Sequence, residues 1–208
     1  MQKIEIPVVI VANGDFPTHS KPLNVLKEAN TIIACDGAAD SLIEKNINPN
    51  IIIGDLDSIS KETKDNFEGQ IIKEIDQTDN DLRKAINYIH SNGIQDVVIV
   101  GATGKREDHT LGNIFSIITY STLMNIQILT DTGYFTCINK ASIIKSKSGQ
   151  NISLFSHDNN IKITTNGLKY NFNNSSISTL FYGSLNESIS NNININLSHG
   201  QLIIFQTY

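Results

Sequence analysis

The chain has 208 residues, 39% of them hydrophobic, with 16 Lys+Arg against 21 Asp+Glu and a net charge of −5. That apolar share over this length builds a core, which excludes intrinsic disorder and fits one large domain or an ordinary domain plus a small one. The acidic balance excludes a general nucleic-acid or anionic-membrane surface, because both need clustered Lys and Arg. Cys35 and Cys137 stand far apart with no CxxC, so neither a disulfide framework nor a zinc site is indicated. No apolar run approaches the roughly 20 residues that span a bilayer. The start, Met1 to Pro7, leads into a strand-like stretch rather than a signal peptide, so a cytoplasmic location is expected.

In chain order, Val8–Val11, Thr31–Ala34, Ile51–Ile53, Ile71–Ile72, Val97–Val100 and Ile126–Leu129 form short apolar runs. Continuous apolar character suits parallel strands covered on both faces. Leu82, Ala85, Ile86 and Ile89 fall at the i, i+3, i+4, i+7 spacing of one helix face, and Leu111, Ile114, Phe115 and Ile118 repeat it. The alternation predicts an α/β domain over residues 1–145, built on an open, mostly parallel, Rossmann-like sheet. From residue 146 to 208 the runs shorten and alternate, as in Ile152–Phe155, Ile161–Thr164, Ile193–Leu197 and Leu202–Phe205, with Asn and Gly turns between them. This predicts a small all-β domain. The first 145 residues hold 13 cationic and 19 anionic side chains and the rest hold 3 and 2, so the acidic surplus belongs to the α/β part.

Ligands of open α/β sheets bind beyond the carboxyl ends of the strands, and several of those loops are rich in Asp and Gly. In Gly54-Asp55-Leu56-Asp57-Ser58, an extended backbone would point Asp55 and Asp57 the same way. Two carboxylates side by side cost energy unless a cation or a proton separates them, and a hard ion such as Mg²⁺ fits that demand. In Asp76-Gln77-Thr78-Asp79-Asn80-Asp81, Thr78 or Asp79 would cap the following helix, and Asp79 and Asp81 favour its dipole. Asp76 precedes the cap and is the third metal-ligand candidate. The loop Gly101-Ala102-Thr103-Gly104-Lys105-Arg106-Glu107-Asp108-His109 is neither a Walker A motif nor GxGxxG. Its Gly101 and Gly104 allow backbone N–H groups to approach an oxyanion, and its Arg106 is one of only two arginines in a chain that otherwise uses Lys. His109 is a contact residue at most. Cys35-Asp36-Gly37 and Asn13-Gly14 follow two further strands and supply Asn13, Asp36 and Gly37 as ligand-facing candidates.

Taken together, Asp36-Gly37-Ala38-Ala39, Gly54 to Ser58, Asp76 to Asp79 and Gly101 to Asn113 resemble the thiamine pyrophosphokinase family in order and spacing. Thr165-Asn166-Gly167-Leu168-Lys169-Tyr170 and Gly183-Ser184-Leu185-Asn186-Glu187 extend the resemblance to nearly the whole chain. The resemblance implies an α/β domain followed by a β-sandwich domain, and transfer of diphosphate from ATP to thiamine. It implies Mg²⁺ held by Asp55, Asp57 and Asp76, with Lys105 and Arg106 facing the triphosphate. Asp36 and Asp108 would line the cleft, and Asp79 or Asp108 would accept the hydroxyl proton. It also implies a homodimer in which Ser184 and Asn186 meet thiamine from the partner subunit. The family's glycine loop often carries paired glycines where Ala102 and Lys105 stand here. With no Trp in the chain, any stacking on thiamine falls to an aromatic residue, Phe181 and Tyr182 being nearest to Gly183.

The residues admit two other readings. Asp55-Leu56-Asp57 superficially fits a Mg²⁺-dependent phosphohydrolase with an aspartate nucleophile, although Gly54 and Ile59 depart from that pattern. A non-catalytic nucleotide- or thiamine-sensing module would keep the cleft, but has little need for three costly like charges.

Overall fold

The computed structural model describes residues 3–76 and 78–208. Met1, Gln2 and Gln77, which the leader and acidic-loop readings include, lie outside the described residues. The chain forms two compact units, one of residues 1–116 and 123–131, the other of 117–122 and 132–208.

In the first unit strands and helices alternate: β1 (Val8–Val11), α1 (Ser20–Glu28), β2 (Thr31–Cys35), α2 (Ala38–Glu44) and β3 (Ile51–Gly54). They continue as α3 (Lys61–Asn66), β4 (Gln70–Lys73), α4 (Asp81–Ser91), β5 (Asp96–Val100), α5 (Glu107–Tyr120), whose residues from 117 on count with the second unit, and β6 (Asn125–Leu129). The strands lie in the order β6-β5-β1-β2-β3-β4, and each neighbouring pair is parallel. Every residue of β1, β2 and β3 is buried, which is why those segments read as unbroken apolar runs. In β4, which pairs only with β3 among the described strands, burial alternates instead. The chain moves outward from β1 to β4 and then returns to place β5 on the other side of β1. Loops after β1 and β5 therefore diverge at a topological switch point, where such sheets bind ligands.

The second unit contains β7 (Gly133–Ile138), β8 (Ser142–Lys145), β9 (Asn151–Phe155), β10 (Ile163–Asn166), β11 (Asn186–Glu187), β12 (Asn192–Leu197) and β13 (Leu202–Thr207). They form two antiparallel layers, β11-β9-β13-β7 and β10-β12-β8. Ile152, Leu154, Leu202 and Ile204 of one layer pack in a single core with Ile163, Ile193 and Ile195 of the other. The pattern Asn-Ile-Asn-Ile-Asn-Leu in β12 turns its isoleucines inward and its asparagines outward. The α/β domain followed by a β-sandwich is the architecture expected from the sequence. The sequence boundary at 145/146 and the compact-unit boundary at 131/132 differ by β7 and β8. Pairing explains the difference: β7 runs antiparallel to β13 over its whole length, and β8 pairs with β12. Among the described residues, no helix is long and apolar enough to cross a membrane.

Candidate active site

The loops after β1 and β5 are joined backbone to backbone. Gly14 N–H donates to the Gly101 carbonyl at 2.7 Å and Asp15 N–H to the Thr103 carbonyl at 2.8 Å. Gly104 adopts φ +83°, and a Cβ there would stand 2.1 Å from Asp15 Oδ2, so both conformation and space require glycine. Lys105 is itself left-handed at φ 57° and reaches back to donate from Nζ to Asn13 Oδ1 at 2.9 Å. A cavity of about 360 Å³ opens beside these loops, lined by Asn13, Gly104, Lys105, Arg106 and His109 on one side. Asp55, Asp79, Asp81 and Lys84 line it on another.

Three carboxylates converge in this unit. One oxygen each of Asp36, Asp55 and Asp81 lies within 4.8 Å of the other two. Asp36 is 2% exposed and left-handed at φ 41°. Its Oδ2 accepts Ser58 N–H at 2.9 Å and its Oδ1 accepts Ile59 N–H at 3.2 Å, clasping the loop that carries Asp55. Burial pushes the Asp36 carboxyl above the ordinary range, against the pull of the Ser58 amide, with Asp81 and Asp55 adding repulsion. Gly54 makes the approach possible, since a Cβ there would lie 2.9 Å from Asp36 Cβ and 3.2 Å from Asp81 Cγ. Oxygen donors gathered this closely fit a hard divalent cation that keeps part of its water shell. Asp57 and Asp76 are exposed and stand outside this group. Leu56, left-handed at φ 69°, turns the chain between Asp55 and Asp57, so the extended geometry that would point them together is absent. Asp76 accepts Thr78 N–H at 2.8 Å, which holds its carboxyl below the ordinary range.

Asn80, rather than Thr78 or Asp79, caps α4, accepting Arg83 N–H at 2.9 Å. Its amide also donates to Asn113 Oδ1 at 3.1 Å, and Asn113 in turn donates to the Ala102 carbonyl at 2.9 Å. This bridge fixes the start of α4 against α5 and the glycine loop. Asp79 pairs with Arg83 at 2.6 Å. Sequence reasoning did not single out Lys84, Asn80 and Asn113, and it placed Asp81 only as a first-turn residue of the helix. For Lys84 a signal existed, since it sits one position before Ala85 and Ile86 on the buried side of α4.

Arg106 is exposed and grips Asp108 with two hydrogen bonds, at 3.1 and 2.6 Å. The guanidinium bonds, with the His109 N–H, hold the Asp108 carboxyl at about 2 instead of 3.8. A lowered carboxyl contributes stability above its unfolded value that is lost as pH falls through the folded one, so the pair persists to about pH 2. An NMR titration of the Asp108 carboxyl should give that midpoint, and Arg106→Gln should move it back toward 3.8. A midpoint unmoved by the substitution would show that Arg106 is not the cause. Cys35 is buried, and burial pushes its thiol up, with Asp81 and Asp36 adding to the effect. It is a core residue and not a nucleophile.

In the second unit, Asn186 is buried and its amide is spoken for. Its Oδ1 accepts Tyr170 N–H at 3.1 Å and its Nδ2 donates to the Tyr170 carbonyl at 2.8 Å. Ser184 is only partly buried, donating from Oγ to the Phe181 carbonyl at 2.7 Å. Phe181, Tyr182 and Leu185 around it are exposed.

A parallel sheet whose strand-to-helix loops bring an acidic trio and a glycine loop to one end defines an α/β protein with a candidate site for a polyanion and a cation. Sequence-family models give the particular family. Residues 23–129 match "Thiamin pyrophosphokinase, catalytic domain" and residues 133–205 match "Thiamin pyrophosphokinase, substrate-binding domain", so the chain belongs to the thiamine pyrophosphokinase family. Thiamine pyrophosphokinase 1 of Oryza sativa subsp. japonica is 32% identical over 152 residues, 66% of this chain and 56% of that protein. Thiamin pyrophosphokinase 1 of Caenorhabditis elegans is 29% identical over 124 residues, 54% of this chain and 50% of that protein. The chain thus spans about half the length of the curated relatives it matches. In fold it is similar to the crystal structure of thiamine pyrophosphokinase from Bacillus subtilis, with TM-score 0.82 and 22% identity, over 96% of this chain and 98% of that one. Thiamin pyrophosphokinase from Candida albicans gives TM-score 0.81 at 18% identity, over 96% of this chain and 89% of that one.

Proposed function

We propose that the chain transfers diphosphate from ATP to the hydroxyl group of thiamine, giving thiamine diphosphate and AMP. The observation that carries this reading is the convergence of Asp36, Asp55 and Asp81 beside the glycine loop in a chain matched over both family domains. The thiamine hydroxyl oxygen attacks the β-phosphorus, the bond from that phosphorus to the α–β bridging oxygen breaks, and AMP leaves. Such transfer demands in-line placement and charge neutralisation more than covalent catalysis. Asp36, Asp55 and Asp81 would hold Mg²⁺, which when bound neutralises phosphate oxygens and charge on the leaving AMP.

Lys105 and Arg106 meet the phosphates from the glycine loop, with Asn13 positioning the Lys105 ammonium. The hydroxyl proton passes to Asp79 or Asp108, each of which is paired with an arginine in this structure, Asp79 with Arg83 and Asp108 with Arg106. In the β domain, Ser184 and the exposed Phe181 and Tyr182 offer the thiamine contact, while Asn186 fixes the backbone at Tyr170. The exposed apolar residues around Gly183 offer a face that a second copy of the chain would cover, which favours a homodimer. Asp57 is exposed and outside the acidic group that contains Asp55, which gives no support to an aspartate-nucleophile phosphohydrolase.

The test is incubation with ATP, Mg²⁺ and thiamine, measuring AMP and thiamine diphosphate together. Equimolar formation of both, absent when thiamine is omitted, is expected. Orthophosphate release without thiamine, or binding with no AMP formed over hours, would overturn the reading.

A further inference from the structure

Lys84 is 8% exposed, an unusual position for a lysine, and it lies on α4 among Leu82, Ala85, Ile86 and Ile89. An ammonium removed from water is costly unless it is paired and hydrogen-bonded. Here Nζ donates to Asp81 Oδ1 at 3.0 Å and to the Glu74 carbonyl at 3.0 Å. Glu74 in turn donates its own N–H to the Gly54 carbonyl at 2.9 Å. The ammonium therefore ties one carboxylate of the acidic trio to the chain segment bonded to Gly54, the residue directly before Asp55. Asp81 is also the trio member nearest the place a Gly54 Cβ would occupy after Asp36, with Oδ1 at 3.3 Å. Gathering three carboxylates with no metal present is repulsive. A fixed cation bonded to one of them offsets that repulsion in the metal-free protein and fixes where Asp81 sits.

We propose that Lys84 is a positioning residue, a resident counter-cation that keeps the acidic trio assembled and Asp81 in place before the divalent ion arrives. The inference rests on the reading of the trio as the cation site. On this view the lysine and the metal share one task, so each matters more when the other is missing. A lysine that only packed its methylene stem would matter equally with and without metal.

The experiment measures the melting temperature of the full chain, stripped of metal by a chelator and then saturated with Mg²⁺. Lys84→Met should lower the metal-free melting temperature by about 10 °C, the scale expected for breaking a buried pair in a chain of this size. Mg²⁺ should recover roughly half of that loss, making the metal-induced rise larger than in the wild type. Lys84→Arg, which keeps the charge, should show a wild-type metal-induced rise. Equal losses with and without Mg²⁺ would overturn the proposal. Should Lys84→Met not fold, Asp81→Asn/Lys84→Met is read instead. Recovery of folding supports charge pairing, and continued failure overturns it. A wild-type chain whose melting responds to neither Mg²⁺ nor Mn²⁺ would remove the cation site itself. A wild-type response with an unchanged response in Lys84→Met would remove only the role of Lys84.

Discussion

Asp55→Asn should lower kcat/KM for diphosphate transfer about a thousandfold, equivalent to about 4 kcal/mol of transition-state stabilisation. The substitution preserves shape and removes one negative oxygen from the group in which Asp36, Asp55 and Asp81 lie within 4.8 Å. A divalent ion held by fewer charges binds more weakly and neutralises less of the charge that develops on the phosphates. Asp55 is only partly buried and its loop is clasped by Asp36, so the fold should survive, and circular dichroism alongside steady-state kinetics checks both. The same measurement on Asp57→Asn and Asp76→Asn separates two ligand sets. Losses as large in those variants would support the set drawn from the sequence; near-wild-type activity in both, beside the loss in Asp55→Asn, supports the trio that the fold assembles.

Asp36→Ala should destabilise the chain by about 3–5 kcal/mol, lowering its melting temperature by about 10 °C. Two backbone N–H groups, of Ser58 and Ile59, lose their acceptor at a position only 2% exposed. The replacement must also adopt φ 41°, which Asp tolerates and Ala resists. Asp36→Asn keeps one acceptor and the tolerance for that conformation, so its cost should be roughly half. Denaturant melts of the three proteins give the comparison. An Ala variant as stable as the wild type would show that the clasp does not hold the Asp55 loop.

Much of the α/β unit is legible in the sequence because β1, β2 and β3 are buried on both faces and have no polar side to interrupt them. The second unit is legible where its strands alternate, as in β12, but its start is not. Strand β7 is assigned to it by pairing with β13 at the far end of the chain, and no local pattern encodes a partner so distant. The site shows the same division. Glycines and acids after the strands mark the loops that surround the cavity, since their residue types carry the chemistry wherever the side chains point. Which acids converge is a matter of backbone direction and helix capping. Leu56 enters the left-handed region, which breaks the extended run between Asp55 and Asp57, and Asp57 lies outside the acidic group. Asn80 takes the cap, making Asp81 the first residue of α4, where Lys84 can reach it three positions on.

The sequence by itself therefore determined the family resemblance, the alternation of strands and helices, and the acidic, glycine-rich character of the loops. Those features depend on residue type and near-neighbour spacing. Only the tertiary structure decided that Asp36, Asp55 and Asp81 meet, that Lys84 is buried against one of them, and that β7 and β8 belong with the β-sandwich. Each of those depends on contacts between segments from different strands and helices, set by sheet order, one left-handed residue and one helix cap.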